Sequence, residues 1–262
     1  MKKLKVKSAV FFAVIFICCY SEKSKTDLTV ENINQFELQS DTLTKRIKPF
    51  KAELPTTGLL IFNGILQGEV IATSDVFGKP NNNPEQIFNI ITISENRKAI
   101  TTEEGMHFVP DYTFEDCPKL TALFVPSGCD IYNHINNEKM MEFIKSENEE
   151  TKYVVSNYGG VQLIGKSGIA DGHKIVTYIV GGKEPQEQYP NLKVQNDSLI
   201  TFVEDGKFSS PNGNLTGYIS ALNLLERMTS LEHRQFVEQY LYLDWLQNWK
   251  INDCDQNWSF GT

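Results

Sequence analysis

Reactive and metal-binding side chains are scarce in this sequence, which places only four histidines and five cysteines among 262 residues. Cys18 and Cys19 close the first apolar run, leaving Cys117, Cys129 and Cys254 for the rest of the chain. Those three form no CxxC pair and have no histidine at zinc-finger distance, which argues against a structural zinc site. Cys129 and His134 alone are two donors where zinc takes three or four protein ligands, so neither metal nor other cofactor is expected. One disulfide is open to the three thiols, but the sequence does not say which. His107, His134, His173 and His233 are spread apart, form no evident triad, and read as structural or surface residues. Basic charge is short as well: the formal net charge is -8. Removing residues 1–18 takes away Lys2, Lys3, Lys5 and Lys7 and no acid, so the remainder stands at -12. Such a body repels phosphate backbones and carries no compensating basic stripe, so no nucleic-acid partner is expected. Nor does any apolar run reach the about 20 residues that a membrane-spanning helix needs.

The remaining composition, 40% hydrophobic and 22% charged, suits a soluble domain with a sizeable core. At the amino terminus the four lysines precede an apolar run from Ala9 to Cys19, and Tyr20-Ser21-Glu22-Lys23 then turns polar at once. A basic start before a short apolar stretch reads as an export signal. Its cysteine ending resembles a bacterial lipoprotein signal, whose first mature residue is a cysteine that receives acyl chains. That resemblance implies a signal over 1–18 and Cys19 as the lipidated residue, with Cys18 as the alternative. It also implies a protein lipid-anchored at the bacterial cell envelope, facing the periplasm or the exterior. The lipoprotein pattern has a small residue just before the cysteine and leucine three before it; here those places hold Cys18 and Phe16. An uncleaved anchor or a plain secretory signal is the other reading of this segment. Residues 19–56 are polar without a sustained period and read as a tether.

From residue 57 the pattern changes. Buried-strand runs appear at Gly58-Leu59-Leu60-Ile61-Phe62, Phe88 to Ile93, Ala122 to Pro126, Lys152 to Ser156 and Leu199 to Val203. Runs of this length bounded by turn residues fit strands covered on both faces. Helical patterns fall between them at Gly68 to Phe77, Glu138 to Asn148, Gly160 to Ser167 and Gly217 to Met228, and a last one runs from Leu231 to Trp249. Strands alternating with helices predict an α/β domain over 57–250 with a mostly parallel sheet, followed by a tail at 251–262. In such sheets ligands sit beyond the carboxyl ends of the strands, near helix amino termini. The loops in question are Asn63-Gly64, Ser127-Gly128-Cys129-Asp130 and Asn157-Tyr158-Gly159-Gly160.

The stretch Val155-Ser156-Asn157-Tyr158-Gly159-Gly160-Val161-Gln162-Leu163 leaves a strand and opens a helix. It continues into Ala170-Asp171-Gly172-His173. With Phe62-Asn63-Gly64, Asp75-Val76-Phe77-Gly78, Val125-Pro126-Ser127-Gly128 and Asp205-Gly206-Lys207-Phe208, it resembles the PfpI/ThiJ family over about residues 57 to 230. The resemblance implies a three-layer α/β sandwich, flavodoxin-like and class I glutamine-amidotransferase-like. It implies a nucleophilic cysteine at a strained strand-to-helix turn, an acid from the first helix beside it, and in many members a histidine. Those three places correspond to Tyr158, Glu69 and Tyr178. A phenol ionises near pH 10, and bringing it to neutrality costs about 4 kcal/mol, which a nearby Glu69 would only increase. The family's cysteine reactions are therefore in doubt.

What the residues leave is a pocket in which Glu69 and Tyr158 are candidate catalytic groups. Gly128, Asn157, Gly159 and Gly160 are its candidate ligand-binding positions. One reading is a non-cysteine domain that binds or senses a small molecule. The alternative is a hydratase- or hydrolase-type enzyme with Glu69 as general acid or base and elbow N–H groups as oxyanion donors. An AraC-type regulator, whose sensor halves share this resemblance, is expected last, since only about thirty residues follow residue 230. The aromatics Phe236, Tyr240, Trp245 and Trp249 leave a homodimer open, though such residues also complete cores.

Overall fold

The computed structural model describes residues 48–79, 85–178 and 181–243. The export-signal segment with Cys18 and Cys19, most of the tether, Trp245, Trp249, Cys254 and the tail lie outside the described residues. The chain begins with β1 (Thr56–Leu60), α1 (Gln67–Gly78) and β2 (Asn89–Ser94). Three short strands follow, β3 (Ile100–Thr101), β4 (His107–Phe108) and β5 (Tyr112–Thr113), and then β6 (Ala122–Val125). Next come α2 (Ile131–His134), α3 (Glu138–Glu150), β7 (Tyr153–Ser156), a 3-10 turn over Tyr158–Gly160 and α4 (Val161–Ser167). The remainder is β8 (Lys174–Ile175), α5 (Lys183–Gln188), β9 (Lys193–Val194), β10 (Phe202–Asp205), β11 (Phe208–Pro211), α6 (Thr216–Met228) and α7 (Leu231–Tyr240).

Seven strands form the main sheet in the order β10-β11-β7-β6-β1-β2-β5. Every neighbouring pair is parallel except β10 with β11. The expected mostly parallel α/β sandwich is what forms. Every residue of β1 and β6 is buried, as continuous apolar runs in a parallel sheet require. Helices α1, α6 and α7 pack in sequence on one another, and α3 packs on α4. Local chemistry sets the helix ends. The Asn137 side chain accepts from Met140 N and starts α3, Ser230 does the same for α7 through His233 N, and Gly168 in the left-handed region ends α4.

Two sequence expectations need correction. The strand expected at Leu199 to Val203 begins later, at Phe202, and Leu199 is 81% exposed. This strand is a sheet edge paired antiparallel with β11, covered less fully than a central strand, so apolar content alone misplaced it. The end of the stretch assigned to the tether is also bound to the domain. Lys51 N–H donates to Asn89 Oδ1 at 2.9 Å, Asn89 Nδ2 donates to Lys51 O at 2.8 Å, and Phe50 meets Tyr112 edge-on.

The chain runs from β1 outward to β2, then returns to place β6 on the other side of β1. The connections leaving β1 and β6 therefore part in opposite directions and open a crevice at the carboxyl ends of the two strands. All three loops singled out in the sequence follow β1, β6 or β7, which are consecutive neighbours in the sheet.

Candidate active site at the strand-to-helix corner

The loops after β1 and β6 are sewn together by their backbones. Leu66 N–H donates to Ser127 O at 3.0 Å and Cys129 N–H to Gly64 O at 2.9 Å, with Gly64 in the left-handed region at φ 80°. Into this junction the first turn of α1 carries Glu69, only 2% exposed. Its Oε2 accepts the Ser127 N–H at 2.7 Å, while Oε1 has no partner among the described residues. Burial raises its pKa from 4.5 to about 8; the Ser127 N–H opposes this, and the charge of Glu104 adds to it. At neutral pH Glu69 is thus a neutral carboxylic acid. It can donate a proton, whereas as a base it would have to ionise in a site that disfavours the charge.

The corner itself follows β7. Tyr158 adopts φ 50°, a left-handed conformation that costs a non-glycine residue about 1–3 kcal/mol and that surrounding structure must enforce. Here the enforcement is visible. Asn157 N–H donates to Val125 O at 3.0 Å, Gly160 N–H to Asn157 O at 2.7 Å, and the Thr177 hydroxyl to Tyr158 O at 3.0 Å. The two glycines serve close approach: a Cβ on Gly160 would run into Val125 O, and one on Gly159 would come within 2.6 Å of Ser127 Oγ. The corner thus has the backbone of a nucleophile elbow with a phenol in the reactive place.

Tyr178, the position where the resemblance put histidine, lies against Tyr158 with ring centroids 5.2 Å apart. Cys129 is exposed on the loop after β6, its sulfur against Gly64 and not at the corner. No thiol occupies the elbow. Of the three N–H groups expected to hold an oxyanion, that of Gly160 is already spent on Asn157, leaving Gly128 and Gly159. Asn157 is buried, its Nδ2 near Gly217 of α6, and its Oδ1 has no partner among the described residues. Ser156 Oγ and both amide atoms of Gln162 are likewise buried and without a partner among the described residues. Folded proteins leave few such atoms, so their concentration near the corner suits hydrogen bonding to water or to a bound molecule.

Tyr132 and Glu184 escaped the sequence reading, and Ser127 was named only as part of a loop. Ser127 supplies the N–H that holds Glu69, and Tyr132 and Glu184 meet at the rim, the Tyr132 hydroxyl donating to Glu184 Oε2 at 2.8 Å. Glu184 sits in a polar run, Lys183-Glu184-Pro185-Gln186-Glu187-Gln188, that carries no signal distinguishing it. The four histidines have structural contacts: His134 with Asn63 O and the Phe62 ring, His173 with Asp205 and Phe208, His107 with Thr101, and His233 with Thr229. Among the described residues no group of three or more His, Cys, Asp or Glu side chains could hold a metal ion.

The DJ-1/PfpI family profile matches residues 57–226, so the chain belongs to that family. Within it, the isonitrile hydratase of Pseudomonas putida is 27% identical over 145 residues, 54% of this chain and 60% of that enzyme. The match therefore spans less than two thirds of the enzyme's own length. Among solved structures, a THiJ/PfpI family protein from Pseudomonas syringae superposes with a TM-score of 0.64 at 17% identity, covering 84% of this chain and 86% of its own. DJ-1beta of Drosophila melanogaster does so with a TM-score of 0.60 at 19% identity, covering 72% and 98%. These likenesses establish the fold.

Proposed function

We propose that this DJ-1/PfpI family member binds or senses a small molecule at the elbow without cysteine chemistry, and that acyl chains on Cys19 hold it at the cell envelope. The observation that supports the first part is a strained corner whose reactive place holds Tyr158, with buried polar atoms on the neighbouring residues Ser156, Asn157 and Gln162 that have no partner among the described residues. Keeping a tyrosine at φ 50° costs stability, and such strain collects at ligand and active sites. The phenol is a poor replacement for a thiolate, yet it offers a ring face and a hydroxyl to a bound ligand. Tyr158→Ala should abolish binding of whatever ligand copurifies with the protein, measured by calorimetry. Unaltered binding would remove the corner from the site. For the anchor, Cys19→Ser should move the protein from the detergent phase to the aqueous phase in a phase-partition assay; a Cys19→Ser protein still in detergent would point to Cys18 or to an uncleaved segment.

A second reading is favoured by Glu69 and by the isonitrile hydratase relative. A neutral Glu69 could protonate the isonitrile carbon while water adds to it, the water's proton returning to the carboxylate and the imidic acid tautomerising to the formamide. In a hydrolase-type reaction the Gly128 and Gly159 N–H groups would instead face a developing oxyanion. Turnover of an isonitrile that disappears in Glu69→Gln would support the enzyme. Absence of turnover in the wild-type protein would reject it.

A further inference from the structure

We propose that the mouth of the elbow pocket selects an organic cation, an amine or quaternary ammonium group, between Tyr158, Tyr178 and Tyr132 and against the Glu184 carboxylate. This rests on the binding-pocket reading above and names the chemical class of the ligand.

Three phenols from separate parts of the chain converge here. Tyr132 comes from α2, Tyr158 from the corner after β7, and Tyr178 from the segment after β8. Tyr132 and Tyr178 both donate to the same oxygen of Glu184, at 2.8 and 3.3 Å, and the Tyr178 ring leans on that of Tyr158. The other Glu184 oxygen accepts from Gln188 Nε2 at 3.2 Å. Every hydrogen-bond donor to this carboxylate among the described residues is neutral. The adjacent Lys183 is turned to Glu187 instead, at 3.7 Å, and no cation pairs with Glu184 among the described residues.

A carboxylate whose donors among the described residues are all neutral has no countercharge against it, and the phenol rings that reach it carry negative quadrupole on their faces. That combination attracts a cation and repels an anion. Burial, with the Glu184 charge beside them, pushes the Tyr132 and Tyr178 hydroxyls to higher pKa, so both stay neutral hydrogen-bond donors across the physiological range. Tyr132 is 44% exposed and the other three groups are half-buried, so the cluster is reachable from solvent. The chain as a whole, at -8, draws cations toward it.

Choline and its neutral isostere 3,3-dimethylbutan-1-ol, titrated by calorimetry into the full-length protein at matched ionic strength, test the idea. Choline should bind about 10-fold more tightly than the alcohol. Glu184→Gln should bring the two affinities together. Tyr132→Phe, which keeps the ring and frees the carboxylate of one donor, should leave choline binding intact or strengthen it. Equal affinities in the wild-type protein, no choline binding at all, or a preference untouched by Glu184→Gln would each overturn the proposal. So would loss of choline binding in a folded Tyr132→Phe variant, which would make the Tyr132–Glu184 pair a structural latch. If both probes bind equally and Tyr158→Ala abolishes both, the pocket stands and only the cation preference falls. If both bind equally and Tyr158→Ala changes neither, the pocket reading falls with it.

Discussion

Replacing Glu69 by glutamine keeps the size and the Ser127-facing oxygen of a neutral carboxylic acid and removes its titration. The native protein holds this group protonated up to about pH 8, against an ordinary value of 4.5, because ionising it would bury a charge with the Ser127 N–H as its only partner among the described residues. In the unfolded chain it ionises in water near 4.5. Between those two values the folded state binds the extra proton, so stability falls as pH rises. The contribution is fully present below about 4.5 and is lost on approaching pH 8. Its size follows from the distance between the two values and comes to about 5 kcal/mol. Glu69→Gln cannot lose it. Urea unfolding at a series of pH values should find the variant and the wild-type protein close in stability near pH 4.5. The variant should then gain steadily, by up to about 5 kcal/mol near pH 8.5. Two parallel stability curves from pH 5 to 9 would refute the reasoning, since they would mean that Glu69 is charged in the folded protein throughout.

The other predictions concern the scaffold around this acid. Gly160→Ala should destabilise the domain by about 3 kcal/mol or more, read as a lower urea midpoint at unchanged slope, because the new methyl group meets the rigid backbone of β6. Asn89→Ala should cost about 1–3 kcal/mol, because it leaves the Lys51 N–H unpaired and removes one hydrogen bond each from Lys51 O and Leu54 O. The Lys51 amide should then exchange faster with deuterium. Cys129 should be modified by a disulfide reagent about 100-fold faster than Cys117, measured by peptide mapping of the native protein. Cys129 is exposed, whereas burial, with Glu147 and Asp116 nearby, pushes the Cys117 thiol up to about 12.

Much of the fold was legible in the residues. Continuous apolar runs bounded by turn residues located β1, β2, β6 and β7, since strands buried on both faces have no polar side to show. The helices α1, α3, α4 and α6 lie where the sequence showed helical patterns, to within two residues at either end, and in α6 Tyr218, Leu222 and Leu225 recur at the helical period. Edge strand β10 was misplaced because Leu199 and Ile200 are apolar without being inside the sheet. The docking of residues 50–55 was invisible because one asparagine far along the chain, Asn89, makes it.

For the site, the sequence alone fixed identities: an acid at 69, a phenol at 158, glycines at 159 and 160, and no cysteine in that run. The left-handed turn at Tyr158, the neutral state of Glu69 and the gathering of Tyr132, Tyr178 and Glu184 were decided only by tertiary structure. The reason is physical. A residue's type is a local fact, whereas its pKa, backbone strain and charge partners depend on what other segments bring within a few ångströms. Here those segments come from β6, β8 and α5, tens of residues away along the chain.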